Sequence, residues 1–337
     1  MKNDYVCNQE IIMAARRNLS HTTWSYLSGG AESETTMRRN RLGLDCLAFR
    51  PRVLRDVSKI VMSTSVLGHT LRIPVVLSPI GSLQALTPEG AVSLARATEA
   101  FGTMCFVSSV SQPSWEETAA ASNAPKVFQL YPRGDLKWIE ETLGRVKRAG
   151  YNALCFTVDI AFYGHRERQM MNNWLPPSNP NDPNNIYQRS MTWETIEAIR
   201  EIWDLPFILK GVATPEDAEM AVEHGIDVVY VSNHGGRALD HAQATIDMLE
   251  EVVAAVDGKT DILVDGGFVR GSDIIKALCL GAKAVGIGKL QGWALAAGGE
   301  TGLVRALEML EEEIMGTMAL LGVTDLGQLG PEYVRKA

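Results

Sequence analysis

The sequence predicts a parallel α/β barrel built from eight strand–helix units. From Pro74 onward, eight short apolar runs follow one another: "PVVLSP", "GTMCFVSS", "KVFQLY", "ALCFTVD", "PFILKG", "DVVYVSN", "DILVDGG" and "AVGIGK". Each run is followed by a polar or glycine loop and then by a helical pattern. The runs are apolar throughout rather than alternating, which is typical of parallel strands buried on both faces. These observations predict a TIM (β/α)8 barrel rather than an open doubly wound sheet.

Segments with helical periodicity lie between the predicted strands and predict the helices of the barrel wall. Two helices carry start signals: Ser114 stands three residues before Glu117, and Thr214 precedes Pro215. A last helix is predicted over 303–321, where leucines recur on one face. The predicted helices before it are Glu89–Phe101, Ser114–Ala121, Leu136–Ala149, Thr192–Trp203, Pro215–His224, Ala244–Val256 and Gly271–Leu280.

About 70 residues of a different kind precede the first strand. They show helical patterns up to about Leu27, a basic stretch "TMRRNR", and a predicted hairpin, "VMSTSVLGHTLRIP", that would cap the N-terminal end of the barrel. We therefore predict an N-terminal helical extension and capping β-hairpin over residues 1–73. The (β/α)8 barrel is predicted over residues 74–325, in one structural domain with the extension.

One segment interrupts the repeating pattern after the fourth strand. "GHRERQMMNNWLPPSNPNDPNNIYQRS" is rich in Pro and Asn and lacks periodicity. It predicts a long loop at the catalytic end of the barrel, and such loops are usually lids or binding segments.

Composition and charge exclude several classes of function. The chain has 337 residues and a net charge of −8 with no long basic run, which argues against nucleic-acid binding. Its five cysteines lie far apart and form no CxxC pair, so no metal site is expected and a reducing compartment fits. No signal core or spanning apolar stretch is present, and we expect a cytoplasmic protein without a membrane span.

The stretch "VSNHGGRALD" follows the sixth apolar run and contains a candidate base. His234 lies just past a strand end, on a loop where Gly235 and Gly236 allow a sharp turn. An imidazole three residues from the guanidinium of Arg237 suits a proton acceptor beside an anion-binding group. A loop histidine satisfied by the backbone explains the segment equally well, so this stretch alone leaves both interpretations open.

Polar residues stand at nearly every predicted strand end. Burying so many polar groups would be costly if the top of the barrel were merely packed, so they indicate a polar ligand. Glycines in "VDGGFVRG" and "GIGK" end the last two strands, where such barrels commonly bind phosphate. The strand-end residues are Ser78, Pro79, Ser108, Gln129, Tyr131, Thr157, Asp159, Lys210, Ser232, His234, Asp265, Gly288 and Lys289.

Several of these motifs resemble one known family. "VSNHGGRALDHAQATIDMLEEV", "TVDIAFYGHRE", "FQLY", "ILKGV" and "ILVDGGFVRGSDIIKALCLGAKAVGIGK" are similar to the FMN-dependent α-hydroxy acid oxidases and dehydrogenases, such as glycolate oxidase, lactate oxidase and mandelate dehydrogenase. The resemblance runs from "YLSGGAE" to "MALLGV". It implies oxidation of an (S)-2-hydroxy acid to a 2-oxo acid with FMN as cofactor. It also implies oxygen, a quinone or another carrier as electron acceptor, and a homo-oligomer, as a tetramer.

The resemblance implies catalytic roles at six positions. His234 would take the proton from the 2-hydroxyl or the 2-carbon of the substrate, and Asp159 would stabilise the resulting imidazolium. Guanidinium forks suit the two coplanar oxygens of a carboxylate. The substrate carboxylate and hydroxyl would therefore be bound by two arginines and two tyrosines, which are Arg166, Arg237, Tyr26 and Tyr131.

The resemblance also implies a set of flavin-binding residues. Lys210 would lie near the N1–O2 edge of the ring, where its charge favours the anionic reduced form. The backbone around Pro79, Ile80 and Gly81 would lie against the ring. The polar edge and ribityl chain would be bound by Ser108, Gln129, Thr157 and Ser232, and the ribityl and phosphate end by Asp265, Gly266, Gly267, Gly288 and Lys289.

The chain departs from the family pattern at positions that bear on phosphate and substrate. Val269 stands where the family usually has arginine, and Lys289 replaces a second arginine. Gly81, in "SPIGSLQ", replaces the alanine of the usual "APTA", and in the family a glycine here accompanies dehydrogenases. Val110 replaces a substrate-facing tryptophan, which predicts room for a larger substrate.

Two alternative functions remain at this point. "GGAESETTMRRNR" and "GSLQ" also resemble the pre-mycofactocin synthase branch, which implies FMN-dependent oxidative tailoring of a peptide- or amino-acid-derived natural product. A non-catalytic ligand-binding barrel is the third hypothesis, and the presence of His234, Arg166 and Arg237 together argues against it.

Overall fold

The computed structural model describes residues 5–175 and 186–337, and three helices precede its first strand. They are α1 (Asn8–Asn18), α2 (His21–Ser28) and α3 (Thr35–Asp45). The third helix was not predicted. Its buried residues, Thr36, Asn40 and Leu44, are mostly polar, so it lacks the apolar stripe by which an amphipathic helix is identified.

A short hairpin closes the end of the barrel where the strands begin. It consists of β2 (Thr64–Val66) and β3 (His69–Leu71), which follow β1 (Leu47–Phe49). Val66 and Leu71 are fully buried and pack among barrel-interior residues such as Met104 and Ala153, which open their strands. The predicted capping hairpin is therefore present. Near the C-terminus, β12 (Val334–Lys336) pairs antiparallel with β1, a pairing that the sequence analysis did not predict.

Eight parallel strands form a closed barrel, which confirms the predicted TIM-barrel fold. Going round the barrel the order is β10-β11-β4-β5-β6-β7-β8-β9, so consecutive strands are neighbours and the last pairs with the first. The strands are β4 (Val75–Leu77), β5 (Met104–Ser108), β6 (Lys126–Leu130), β7 (Ala153–Thr157), β8 (Phe207–Val212), β9 (Val228–Val231), β10 (Asp261–Val264) and β11 (Ala284–Ile287). Seven of them lie within the apolar runs, and β8 extends one residue beyond "PFILKG", to Val212.

The helices of the barrel wall begin and end within two residues of their predicted bounds. Local capping explains the agreement: Ser114 and Glu117 form a capping box, and the Thr214 side chain accepts a hydrogen bond from Asp217 N. The helices are α4 (Ala91–Phe101), α5 (Trp115–Ala120), α6 (Leu136–Arg148), α9 (Trp193–Ile202), α10 (Pro215–Glu223), α11 (Thr245–Val256) and α12 (Gly271–Cys279). The last helix, α13 (Lys289–Leu321), starts earlier than predicted and is interrupted at Gly298 and Gly299.

The segment after the fourth barrel strand is only partly the long loop that was predicted. It contains two short helices, α7 (Glu167–Met171) and α8 (Ile186–Arg189). Residues 176–185, within the same prediction, lie outside the described residues. Among the helices that the structure describes, none is long and apolar enough to cross a bilayer.

Candidate active site

A cavity of about 550 Å³ opens at the carboxyl ends of the barrel strands. Most of the predicted site residues line it: Tyr26, Pro79, Ile80, Gly81, Tyr131, Arg166, Lys210, His234, Arg237, Asp265, Gly266, Gly267, Gly288 and Lys289. The other five, Ser108, Gln129, Thr157, Asp159 and Ser232, do not line the cavity.

His234 and Asp159 form a partly buried hydrogen-bonded pair, although 75 residues separate them in the chain. The Nδ1 atom of His234 lies 2.9 Å from Oδ1 of Asp159, and Nε2 lies 3.5 Å from the Tyr131 hydroxyl. Asp159 packs against Gly211, where an added Cβ would lie 2.7 Å from the Asp159 Cβ. A glycine at position 211 is therefore needed for this arrangement, and its φ of +111° also favours glycine.

The electrostatics of this pair favour a neutral imidazole beside an ionised carboxylate. Burial lowers the pKa of His234, and the nearby Asp159 offsets only part of that effect. Burial raises the pKa of Asp159, but His234 and Lys210 more than reverse this, so its net pKa is lowered. With the Nδ1 proton donated to Asp159, the Nε2 lone pair is free to accept a proton.

Two guanidinium groups lie side by side in the cavity without a carboxylate partner. Arg166 Nε donates to the carbonyl of Arg237 at 3.0 Å, while Arg237 Nη1 donates to the carbonyls of Tyr26 and Gly29 at 2.7 and 2.8 Å. Within residues 5–175 and 186–337, neither guanidinium has a carboxylate oxygen within 4.0 Å. Burial and the charge of Arg166 lower the pKa of Arg237 to about 10, so it stays charged at neutral pH. Such a pair favours an anionic ligand.

Two tyrosine hydroxyls border the same part of the cavity. The Tyr26 hydroxyl, from α2, donates to the carbonyl of Gly81 at 2.9 Å, and its ring lies 5.1 Å from the Arg237 guanidinium carbon. Burial raises the pKa of both Tyr26 and Tyr131. Both phenols therefore remain protonated at neutral pH and can donate hydrogen bonds to a ligand.

A buried lysine stands at the centre of a polar cluster at the top of β8, β9 and β10. Lys210 Nζ donates to Ser232 Oγ at 2.7 Å and lies 3.1 Å from Asp265 Oδ2. Ser232 donates to the other carboxylate oxygen of Asp265 at 2.6 Å. Burial lowers the pKa of Lys210, but the charges of Asp265 and Asp159 raise it by more. The net pKa is therefore above the ordinary lysine value, and the ammonium stays charged.

Buried polar atoms near the same strand ends lack partners. Both side-chain polar atoms of Gln129 and the hydroxyl of Thr157 are buried and have no hydrogen-bond partner within the described residues. Ser108 is in register with Gln129, and Thr157 with Lys210, so these groups lie towards the carboxyl ends of four consecutive strands. Because an unsatisfied buried polar group costs about 1–3 kcal/mol, the cluster indicates a ligand with donors and acceptors along one edge.

The other end of the cavity holds a lysine but no free arginine from the β10 loop. Lys289 Nζ lies 2.6 Å from Met37 Sδ, and it has no carboxylate within 4.0 Å in the described parts of the chain. Burial and the charge of Arg237 lower its pKa to about 7. Arg270, next to Val269, is paired with Glu313 at 3.0 Å, so its guanidinium is engaged away from the cavity.

Sequence reasoning missed the contribution of α3 to the site. Met37, Asn40 and Arg41 all line the cavity. The Asn40 and Asn233 side chains exchange two hydrogen bonds, of 2.9 and 2.8 Å, which hold the loop before His234. The stretch "TMRRNR" was the available signal, but a mostly polar helix gives no periodicity by which to place its side chains. Tyr163 was also missed, and it lies beside Arg166.

Comparison with known proteins agrees with this geometry. A model of the FMN-dependent dehydrogenase family matches residues 15–189 and 181–336. The chain belongs to this family. It is 38% identical to a peroxisomal (S)-2-hydroxyacid oxidase of Arabidopsis thaliana, with 95% of this chain and 94% of the relative covered. It is 37% identical to glycolate oxidase 1 of Zea mays, with 95% and 93% covered.

Solved structures of the family superpose closely on this chain. A mandelate oxidase with 3,3-difluoro-2-hydroxy-3-phenylpropionic acid is 37% identical, with 98% of each chain covered and a TM-score of 0.91. A soluble mutant of the membrane-associated (S)-mandelate dehydrogenase from Pseudomonas putida is 32% identical, with 99% and 100% covered and a TM-score of 0.93. The predicted family and its cofactor, FMN, are thereby confirmed.

The residues present fit an FMN molecule. The unpartnered amide of Gln129 and hydroxyl of Thr157 can bond the polar edge of a flavin beside the charged Lys210. At the other end, a Cβ added at Gly288 would meet no atom within 4 Å, which leaves space beside its backbone N–H and Lys289 for a phosphate.

Proposed function

We propose that this enzyme oxidises an (S)-2-hydroxy acid with a side chain bulkier than that of lactate to the corresponding 2-oxo acid. The observation that carries the proposal is a neutral His234, oriented by Asp159, in the same cavity as two guanidiniums that have no carboxylate partner in the described part of the chain. A base beside an unfilled anion site suits a substrate with a carboxylate next to the carbon that is oxidised. The names of the relatives favour this function over the tailoring reaction.

The chain's own residues account for binding and proton transfer. Arg166 and Arg237 bind the substrate carboxylate, and the Tyr26 and Tyr131 hydroxyls donate to its oxygens. His234 Nε2 removes the proton from the 2-hydroxyl or the 2-carbon, and Asp159 stabilises the imidazolium that results. When bound, FMN accepts the two electrons released at the 2-carbon.

The same geometry supports the cofactor-binding roles that the family resemblance implies. Lys210 stabilises negative charge at the polar edge of the ring, with Gln129, Thr157, Ser108 and Ser232 beside it. The loop of Asp265, Gly266 and Gly267 serves the ribityl chain, and Gly288 with Lys289 serves the phosphate. The backbone around Pro79, Ile80 and Gly81, which lines the cavity, would contact the ring. In these roles the barrel of residues 74–325 carries the cofactor, and residues 1–73 contribute Tyr26.

We expect FMN affinity to depend on the protonation of Lys289. In the unliganded protein its pKa is about 7, so it is charged below pH 7 and neutral above it. A bound phosphate dianion raises that pKa, so binding above pH 7 takes up a proton. The FMN dissociation constant should therefore rise with pH by up to tenfold per unit between about pH 7 and 9. Quenching of FMN fluorescence by the apoprotein, measured across this range, checks it.

Lys289→Arg is the matched variant, because arginine stays charged throughout that range. In this variant the dissociation constant should no longer rise with pH. The charged groups that act on Lys289 in both proteins are Arg237, Glu34, Arg168 and Arg166. If the variant and the native protein show the same pH dependence, Lys289 does not hold the phosphate.

The wall of the cavity next to Gly81 suggests the size of the substrate. A Cβ added at Gly81 would lie 2.8 Å from Val110 Cγ2, so these two residues are in direct contact. Ile160 and Ala161 add further apolar lining. A phenyl group that buries on the order of 100 Å² here would gain about 2.5 kcal/mol. We therefore expect kcat/KM for a mandelate-like acid to exceed that for glycolate by about 50- to 100-fold.

Val110→Trp tests the space directly, because an indole at this position extends across the wall beside Gly81. The variant should lose most of its preference for the aryl substrate while it still turns over glycolate. Val53→Trp, at an 81% exposed valine, is the control and should behave like the native protein. A native preference for glycolate would contradict the large-pocket proposal.

The acceptor, the assembly and the compartment belong to the same proposal. We propose a quinone or another carrier as acceptor, on the basis of Gly81, and a homo-oligomer, a tetramer by resemblance to the family. The five cysteines are unpaired and three of them are buried, which supports a reducing compartment such as the cytoplasm. Stopped-flow mixing of the reduced enzyme with air-saturated buffer tests the acceptor, and reoxidation fast enough to sustain turnover would make it an oxidase.

A further inference from the structure

Tyr163 is a cavity-lining tyrosine that the proposed mechanism does not use. It lies between β7 and α7, three residues before Arg166. Its hydroxyl accepts a hydrogen bond from Arg166 Nη1 at 2.8 Å. The Gln169 side chain reaches the same hydroxyl, with Oε1 at 3.1 Å and Nε2 at 3.0 Å, and Gln169 is only 3% exposed. Tyr163 therefore links a substrate-facing arginine to a buried amide.

The direction of this network follows from the guanidinium. Arginine can only donate, so the Tyr163 oxygen must direct a lone pair towards Arg166. The hydroxyl proton is then available to Gln169 Oε1. Because the hydroxyl proton is held by Gln169 Oε1, the Tyr163 oxygen keeps a lone pair directed at Arg166 Nη1.

Three contacts restrain the Arg166 side chain at once. Nε donates to the carbonyl of Arg237, Nη1 donates to Tyr163, and the guanidinium carbon lies 4.1 Å from the centre of the Tyr163 ring. Within the described residues, Nη2 has no protein acceptor, so it remains available to a ligand. A free arginine would lose considerable rotamer entropy when it binds a carboxylate, and these contacts impose that restraint before binding.

We propose that Tyr163 is a positioning residue that orients Arg166 for the substrate carboxylate and thereby sets the preference for a charged carboxylate over a neutral group of the same shape. The inference rests on the proposed function, because it assumes that Arg166 binds that carboxylate. It concerns binding more than the chemical step, since Tyr163 acts through Arg166 and not on the reacting carbon.

Tyr163→Phe tests this role, because it keeps the stacked ring and removes only the hydroxyl. We expect the dissociation constant of the 2-oxo acid product, measured from the flavin absorbance change, to rise about tenfold, which corresponds to about 1.4 kcal/mol. The KM of the hydroxy acid should rise similarly while kcat changes less than threefold. The preference for the hydroxy acid over its carboxamide should fall about tenfold.

Tyr151→Phe is the matched control, because Tyr151 is a 2% exposed tyrosine whose hydroxyl donates to the carbonyl of Trp115, outside the cavity. It should leave binding and substrate preference unchanged. In an Arg166→Met background, Tyr163→Phe should have no further effect on product binding. A tenfold effect that persists in that background would show that Tyr163 acts independently of Arg166 and would overturn the proposal.

The outcomes separate this inference from the proposed function. If the native protein binds neither the 2-oxo acid nor its hydroxy acid, the proposed function fails. If the native protein binds both and Tyr163→Phe binds them with unchanged affinity and unchanged preference over the carboxamide, only the role of Tyr163 fails.

Discussion

Replacement of His234 by alanine should lower turnover of the hydroxy acid by roughly 10²–10⁴-fold while FMN remains bound. The reason is that Nε2 is the proton acceptor in the proposed mechanism, whereas His234 contributes no charge at neutral pH to cofactor binding. The measurement is anaerobic bleaching of the flavin by substrate, with the FMN content of the same sample determined after heat release.

His69→Ala is the control, because His69 lies on the hairpin at the opposite end of the barrel. In this variant, substrate should bleach the flavin at the native rate. The native enzyme should also lose kcat/KM on the acid side, because protonated His234 cannot accept a proton. Since its pKa is lowered, this loss should be centred below the ordinary histidine value of 6.5. Near-native turnover by His234→Ala would require a different base.

Arg237→Lys should raise KM and lower kcat together, with a combined loss in kcat/KM of about 10- to 200-fold. Hydrogen bonds to charged groups contribute about 1.5–3 kcal/mol, and an ammonium cannot hold a carboxylate by two parallel bonds. Arg237 also donates to the carbonyls of Tyr26 and Gly29 through Nη1, so its loss also frees the segment that places Tyr26. Steady-state kinetics with the preferred hydroxy acid measures the effect.

Arg72→Lys is the matched control for loss of a guanidinium fork. Arg72 forms a bidentate pair with Glu311 on the surface, at 2.7 and 2.6 Å, and its side chain is 48% exposed. Its replacement should leave both kinetic parameters unchanged. If Arg237→Lys also leaves KM and kcat unchanged, the substrate carboxylate is bound elsewhere.

The secondary structure of the barrel was predictable because its signals are local. Each buried parallel strand is a continuous apolar run, and a helix start such as Ser114 with Glu117 is encoded within four residues. The same reasoning failed at α3, because Thr36 and Asn40 are buried there as polar groups. Their hydrogen-bond partners, Leu239 and Asn233, lie about 200 residues away, so nothing in the local pattern marks them as buried.

The sequence by itself determined the fold class, the family and the residue types that meet at the barrel top. Strand-end residues of a parallel barrel converge on one face, so their position in the chain was enough to bring His234, Lys210 and Asp265 to the same site. The family motifs then identified the chemistry that this combination supports.

The tertiary structure decided the contacts through which those residues act together. Asp159 orients His234 because β7 lies two strands from β9 and Gly211 leaves the space between them. The engagement of Arg270 by Glu313 and the restraint of Arg166 by Tyr163 likewise depend on side-chain directions. Distances of a few ångströms between remote segments are set by packing, and neither composition nor periodicity records them.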